Sequence, residues 1–456
     1  MTDFERGKAQ RRNVPRSSHA SWSPPAQRAD PIDILEAQET TRIANLLPIR
    51  HERMMRSPFA FYRGSAAIMA ADLSHTPTTG ASVQAGGDCH LANFGAYGTP
   101  ERRLIFDVND FDETLPSPWE WDIKRLATSA VLLGYDLGFN DSTGRTAAVG
   151  ATRSYRETIL RCARMTPLEV WNWRLDASTV IDDLQTARVA KKLQQVATND
   201  ASAAGDAGLT KLLEKTPSGV RVAENPPLVY HLPEQDPKNE QVREAVRLYG
   251  NSLRDDIRVL FKRYDMVDLA LKVVGVGSVG TLCAIALLQS GDGVLLLQVK
   301  EATASVLEPY AGKSRYFNHG ERVVTGQRIM QAASDMFLGW TKLQDGRHFY
   351  VRRFHDMKAG VDFTRMRIDD LFSYASLCGA ALARGHARSA DPSFIAGYLG
   401  SSSIFDETIG DFAVTYAEQT KRDYGLFLDA IKQGRLQRDV IGNSELLQTP
   451  PSQALN

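Results

Sequence analysis

Cysteine is scarce in this chain, and its placement excludes more than its number does. Cys89, Cys162, Cys283 and Cys378 lie far apart with no C-x-x-C spacing. That argues against a zinc cluster and against a disulfide framework, and it fits a reducing cytoplasm. An excess of one charge is also missing, because 54 basic and 54 acidic residues cancel to a pI near 7.1. A protein that grips nucleic acid through its phosphates carries a basic surplus, so that partner is set aside. No apolar segment follows Arg11-Arg12, so no signal peptide is visible. One stretch, 273–291, runs 19 residues without a charge, but it holds four glycines together with Ser278, Thr281, Gln289 and Ser290. A packed pair of strands accounts for it better than a lipid-exposed helix, and no membrane partner is expected. No internal repeat interrupts the 456 residues, which suffice for two or three lobes with their own cores.

The segment Gly87-Asp88-Cys89-His90-Leu91-Ala92-Asn93-Phe94 carries Asp, His and Asn at i, i+2 and i+5. After a turn, Leu104-Ile-Phe-Asp107-Val-Asn-Asp110-Phe-Asp112-Glu113 adds an apolar run ending among carboxylates. Phosphoryl transfer needs such groups. One Asp accepts the proton of the attacking hydroxyl, while an Asn and a second Asp hold the magnesium that bridges nucleotide phosphates. A solvated acidic loop is the bland alternative, and it leaves the fixed spacing unexplained.

Along the chain, residues 1–29 are polar and rich in Arg, Ser and Pro and are expected to be a disordered tail. Asp30-Pro31 reads as an N-cap and first helical position, opening a helix towards Leu47. A buried helix is expected over 119–137, with Ile123, Leu126, Ala127, Ala130 and Val131 at helical spacing. A loose connector is expected near 199–239, then one long amphipathic helix marked by Val242, Val246, Tyr249, Leu253, Ile257 and Leu260. Two apolar runs over 272–302 flank Ser290-Gly-Asp-Gly293, a hairpin signal. Further strands are expected over 337–343 and 348–354, and helices over 319–333, 369–388 and 405–431.

Gly275-Val-Gly277-Ser-Val-Gly280 admits two readings. In a dinucleotide-binding fold such glycines turn a strand into a helix that meets a pyrophosphate, and Glu301 stands where the ribose-binding acid belongs. In a kinase-like hairpin the same loop covers the ATP phosphates, and the next strand presents a lysine, here Lys300. A lysine at the end of an apolar strand needs a partner. Glu321, on the expected helix that follows, is the suitable one, ahead of Glu308. The dinucleotide reading leaves the Asp88 and Asp110 motifs without a role.

The runs Ser57-Pro-Phe-Ala-Phe-Tyr-Arg63-Gly64, Gly87 to Gly95, Asn109-Asp-Phe-Asp-Glu113 and Pro118-Trp-Glu-Trp-Asp122-Ile-Lys-Arg125 resemble the bacterial domain-of-unknown-function 2252 family. So do Gly275 to Gly280, Gln298-Val-Lys-Glu301 and Gln331-Ala-Ala-Ser-Asp335, a resemblance running from about residue 45 to about 430. The family is grouped by similarity with protein-kinase-like folds, and the local motifs also resemble aminoglycoside and choline phosphotransferases. That resemblance implies an α+β, two-lobe fold with a small antiparallel nucleotide sheet beside a mostly helical lobe. It implies Asp88 as catalytic base with His90 in its loop, and Asn93 with Asp110, or alternatively Asp107, as magnesium ligands. It further implies that Gly275, Gly277, Gly280, Lys300 and its partner Glu321 bind the nucleotide. Asp122 resembles the buried Asp that braces the catalytic loop.

Two departures stand out: Gly86 replaces the leading His, and the catalytic loop precedes the glycine loop, so that beside the kinase-like enzymes it resembles the chain looks circularly permuted. The implied organisation is a helical lobe over 30–265, a nucleotide-binding lobe over 266–360, closing helices over 361–440 and a polar tail over 441–456. The function implied is ATP- and Mg²⁺-dependent phosphotransfer, or its AMP-transfer variant, to a hydroxyl-bearing small molecule or protein in the cytoplasm. A catalytically silent nucleotide-binding module and a metal-dependent phosphoesterase are the alternatives. The second needs more histidines than Asn318-His319-Gly320 offers. Arg63 either meets substrate or phosphate or ties two helices together, and His386 and Arg388 favour a helix C-terminus.

Overall fold

The structure is a computed structural model in which residues 1–101, 103–176, 212–217, 219–354 and 362–437 are described. It is a mixed α+β protein in which two short antiparallel pairs, β1 (Ser82–Ala85) with β4 (Leu115–Pro118) and β2 (Phe94–Gly98) with β3 (Leu104–Val108), frame the Asp88 loop and the acidic segment. The larger of its two largest apolar cores includes residues of both segments.

The larger core forms around the helix Trp119–Asp136. Ile123, Leu126, Ala127, Ala130 and Val131 are fully buried, as their spacing predicts. The helix is enclosed on its other sides too, by Asp141–Cys162, Ile368–Ala387 and Ile404–Lys432. Glu120, Asp122, Lys124 and Arg125 are therefore buried as well. A charge in such a place needs a partner, and two of these four supply the framework of the site.

The second core lies against a six-stranded antiparallel sheet of order β11-β12-β10-β9-β8-β7. Its strands are β7 (Val229–Tyr230), β8 (Asp265–Lys272), β9 (Cys283–Ser290), β10 (Gly293–Ala302), β11 (Gly339–Lys342) and β12 (His348–Arg353). The uncharged stretch 273–291 supplies a loop and β9. Strand alternation explains its composition, because both faces of β9 are covered. Ala284, Ala286 and Leu288 pack with the helix Pro237–Tyr249, while Ile285 and Leu287 pack with Val222 of β6 (Gly219–Val222). Among the described residues no helix is long and apolar enough to cross a membrane.

Several expectations are corrected. Residues 1–29 are not a disordered tail: Asp3–Gln10 is a helix with a Thr2/Glu5 capping box, packed on the helix Pro392–Leu399. The contact is close enough that a Cβ on Gly7 would lie 1.9 Å from the Phe394 carbonyl oxygen. The arginines that suggested disorder occupy the end of that partner helix. Arg11 donates to the carbonyls of Tyr398 (2.8 Å) and Gly397 (2.5 Å), and Arg16 to that of Leu399 (2.5 Å). Arg28 pairs with both Asp72 and Asp423.

Asp30 does cap a helix with Pro31 at its first position, but that helix stops at Glu39, and Leu47–Met54 is a separate one. The single helix expected over 242–260 is two, Pro237–Tyr249 and Asp255–Phe261, separated by a 3₁₀ turn at Gly250–Ser252. Part of the connector, 212–217 and 219–239, forms β5 (Leu213–Thr216), β6 and β7 before the helix at Pro237, while 199–211 falls outside the described residues, as does the tail 441–456. The boundary at residue 265 also shifts, because Val242, Ala245, Val246 and Tyr249 belong to the core under the sheet.

Candidate functional site

The loop 86–93 is held by helix Trp119–Asp136. Asp122 accepts hydrogen bonds from the backbone N–H groups of Gly86 (2.7 Å) and Gly87 (3.0 Å). His386 Nε2 lies 3.1 Å from the same carboxylate, and its Nδ1 lies 2.8 Å from the Tyr155 hydroxyl. Gly87 has φ +80°, and a Cβ there would come within 2.5 Å of the Glu113 carbonyl oxygen. The loop and the acidic segment thus touch at a point that only glycine allows. Gly87→Ala is expected to lower stability by roughly 1–3 kcal/mol. A thermal unfolding midpoint equal to wild type would show that the loop is not strained there.

One turn along the helix, Arg125 holds Asp88. Its Nε donates to Asp88 Oδ1 at 2.7 Å, and its Nη2 lies 2.5 Å from the same oxygen. Oδ2 is left for another partner. Burial lifts the Asp88 carboxyl to about 7 against the pull of Arg125, and the nearby carboxylates Asp110 and Glu113 add to the rise. His90 Nε2 lies 3.8 Å from Asp88 Oδ2, and its Nδ1 is buried without a hydrogen-bond partner. Desolvation, with Arg63 and Arg125 close by, keeps the imidazole neutral well below its ordinary range. Asn93 donates its Nδ2 to the Asp88 carbonyl at 2.8 Å, which leaves the amide oxygen unspent. Its own carbonyl accepts from the Asn109 N–H at 2.8 Å and ties the loop to the acidic segment.

In that segment, Asp110 Oδ1 accepts from the Asp112 N–H at 3.1 Å, forming a tight turn. Asp107 is fully committed elsewhere. It is 1% exposed and accepts from Arg384 (2.5 Å), the Ala332 N–H (3.1 Å) and the Val108 N–H (2.9 Å). Asp107 is therefore a structural brace rather than the alternative metal ligand, and Asp110 keeps that candidacy.

Lys300 sits on the face of β10 opposite the helix-covered core, because Leu295, Leu297 and Val299 take the other face. Its ion-pair partner is Asp112, not Glu321. It also donates to Ser278 Oγ at 2.7 Å. Ser278 Oγ and the Tyr350 hydroxyl donate to Asp112 at 2.9 and 2.8 Å, and Tyr350 is the cross-strand neighbour of Lys300 on β12. Burial alone would raise the Asp112 carboxyl, but Lys300, Tyr350 and Ser278 together hold it down to about 2. Burial likewise opposes the Lys300 charge, and Asp112 reverses that and raises its pKa.

Glu321 lies in the first turn of the helix His319–Met330, where Asn318 Oδ1 accepts from its N–H at 3.3 Å. Its neighbour Arg322, about 100° further round the helix, is the residue aimed at the acidic segment. It donates to the carbonyls of Thr114 (2.7 Å), Asp112 (2.7 Å) and Thr303 (2.8 Å).

The glycines lie in the loop joining β8 to β9. Gly275 precedes a single 3₁₀ turn, Val276–Ser278, and Gly280 has φ +95°. Arg42 grips this loop through the carbonyls of Gly277 (2.9 Å) and Val279 (2.5 Å), and Ile43 N–H donates to Gly280 at 2.7 Å. A Cβ on Gly277 would lie 3.7 Å from Asp88 Oδ2 and 3.3 Å from the Arg63 carbonyl oxygen. The glycine loop therefore ends against the Asp88 carboxylate.

The structure gathers Asp88, His90, Asn93, Asp110, Gly277 and Lys300 and leaves Asp107 and Glu321 to one side. Among the described residues no three His, Cys, Asp or Glu side chains close on one metal-sized position. Sequence reasoning missed Asp112, Arg125, Ser278, Arg322 and the bracing role of His386. Arg125 carried a signal, since it follows Asp122 at i+3 and so shares its helix face. A family model described as an uncharacterized protein conserved in bacteria matches residues 42–430, while no curated protein and no solved structure matches. The match begins at the arginine that grips the glycine loop and takes in the Asp88 loop, the acidic segment and Lys300. The chain belongs to the bacterial domain-of-unknown-function 2252 family.

Proposed function

We propose that this protein is an ATP- and Mg²⁺-dependent phosphotransferase with a protein-kinase-like fold, its catalytic loop placed ahead of its glycine loop by circular permutation. The acceptor bears a hydroxyl group. The observation that carries the reading is the meeting of distant chain segments: Lys300 and Asp112 pair across 188 residues of sequence, beside a glycine loop seated on Asp88.

In this reading Asp88 Oδ2 accepts the acceptor's hydroxyl proton. Arg125, bound to Oδ1, fixes the carboxylate's orientation, and its low hydration places its pKa near working pH. His90, neutral and buried, shapes the loop. The glycine loop beside Asp88 and the charge of Lys300 suit nucleotide phosphates. The Asn93 amide oxygen and the Asp110 carboxylate are the groups that would hold Mg²⁺, which supplies charge neutralisation on the phosphates. An all-oxygen pair of this kind suits magnesium, which takes one or two protein ligands and completes its shell with phosphate and water. The same sparseness disfavours a phosphoesterase, which needs a cluster of ligands ready-made. A dinucleotide-binding fold needs a helix after the glycines, where β9 stands.

Thermal shift with ATP, ADP and NAD, each with Mg²⁺, tests the reading first. Stabilisation by ATP and ADP but not by NAD is expected, and a response to NAD alone sinks the proposal. ATP labelled at the α or γ position then separates AMP transfer from phosphoryl transfer. Binding with neither label ever released identifies a silent module.

A further inference from the structure

Close to Asp88 lies a group of cations with almost no acidic counterpart. Arg63 ends the helix Pro58–Gly64, and the chain on either side of it is pinned. The Tyr62 carbonyl accepts from Arg125 at 3.0 Å, and the Gly64 carbonyl accepts from Arg50 at 2.7 Å. The Arg63 carbonyl meets Gly277, where an added Cβ would lie 3.3 Å from it and 3.7 Å from Asp88 Oδ2. Arg53, 7% exposed, enters from the helix Leu47–Met54 and donates one Nη to the Val274 carbonyl at the root of the same loop. Arg56 adds a further positive charge close to both arginines, and three other charged groups nearby are engaged. Glu39 is paired with Arg50 and His51, Arg42 donates to loop carbonyls, and Asp88 Oδ1 is taken by Arg125.

Among the described residues, polar atoms in this corner are left without a partner. Arg63 Nε is buried without a hydrogen bond, and so is Nδ1 of His90, a residue 3% exposed. A desolvated guanidinium donor left unpaired is costly, and two arginines at one loop repel each other. Both costs disappear when an oxyanion enters. The planar guanidinium donates in parallel to phosphate or carboxylate oxygens, and a second cation balances the charge.

We infer that Arg53 and Arg63 form an oxyanion recess beside Asp88, and that it takes a phosphate or carboxylate group carried by the acceptor. The site thus selects an anionic alcohol. A cationic alcohol would face Arg53, Arg63 and Arg125 together. The assignment to the acceptor rests on the phosphotransferase reading, whereas the recess itself does not.

Calorimetric titration of wild type, Arg63→Gln and Arg63→Lys tests this with three probes: glycerol phosphate, choline and the Mg²⁺ complex of a non-hydrolysable ATP analogue. Glycerol phosphate should bind wild type, weaken roughly tenfold or more in Arg63→Gln, and weaken less in Arg63→Lys, which keeps the charge without the fork. The ATP analogue should bind all three alike, and choline none. Equal glycerol phosphate affinity in all three proteins overturns the inference. So does a loss confined to the ATP analogue, which would assign Arg63 to the nucleotide, and so does choline binding in place of glycerol phosphate. Failure of glycerol phosphate to bind wild type overturns it as well. If glycerol phosphate binds through Arg63 while the ATP analogue does not bind at all, the recess stands and the phosphotransferase reading falls. Arg63→Lys keeps the test open if the Gln variant does not fold.

Discussion

Asp88→Asn is expected to lower turnover on the order of 10²-fold or more while leaving nucleotide affinity within about threefold of wild type. The amide reproduces the shape of the carboxylate and removes its basicity. The groups assigned to the phosphates, Lys300 and the glycine loop, bind through other contacts and stay in place. Wild-type activity should also rise with pH through about 7, because burial holds the Asp88 carboxyl there and only the ionised form accepts a proton. Below that point the rate should fall about tenfold per pH unit, and this acid limb should vanish from the residual activity of the Asn variant. The substitution leaves the buried Arg125 guanidinium without its counter-charge, so the comparison belongs at a temperature where both proteins are folded. Weakened ATP binding with unchanged turnover would remove Asp88 from the base role. An acid limb that survives in the variant would assign the titration to another group.

What the sequence reveals about this molecule depends on how local each signal is. The hairpin of β9 and β10 was legible because alternation and a Gly-Asp-Gly turn act within a few residues. Asp30-Pro31 was legible as a helix start for the same reason, whereas the end of that helix at Glu39 was not. The Asp88 loop stood out by spacing, and its support by Asp122 followed from resemblance.

Side-chain partners are not local, since tertiary geometry decides them. Glu321 and Arg322 are adjacent in sequence, yet only the rotation of one helix decides which reaches the acidic segment. Glu321 and Glu308 are the acids the sequence offers Lys300, whereas the fold brings it Asp112, which also accepts from Tyr350, the cross-strand neighbour of Lys300 on β12. Composition misled outright at residues 1–29. There the arginines suggested solvent but serve as hydrogen-bond donors to the end of a buried helix.

Lys300→Met should act on both stability and activity, and the two effects can be separated. In the folded protein Asp112 is held near 2 largely by Lys300, below its unfolded value near 3.9. A lowered carboxyl pKa stabilises the fold above the unfolded value and ceases to do so as pH falls from about 4 to about 2. At pH 7 the Met variant leaves Asp112 with only two hydroxyl donors in a largely buried site, and about 2–4 kcal/mol of stability should be lost. That deficit should shrink as the pH drops below 4. Turnover should fall roughly 10²-fold, with weaker ATP binding, because the proposed function assigns the lysine charge to the phosphates. Adding Asp112→Asn removes the stranded carboxylate, so the double variant should recover most of the stability and none of the ATP affinity. If the double variant binds ATP as tightly as wild type, Lys300 is a structural ion-pair partner alone. The reading of this hairpin as the nucleotide-binding element then fails.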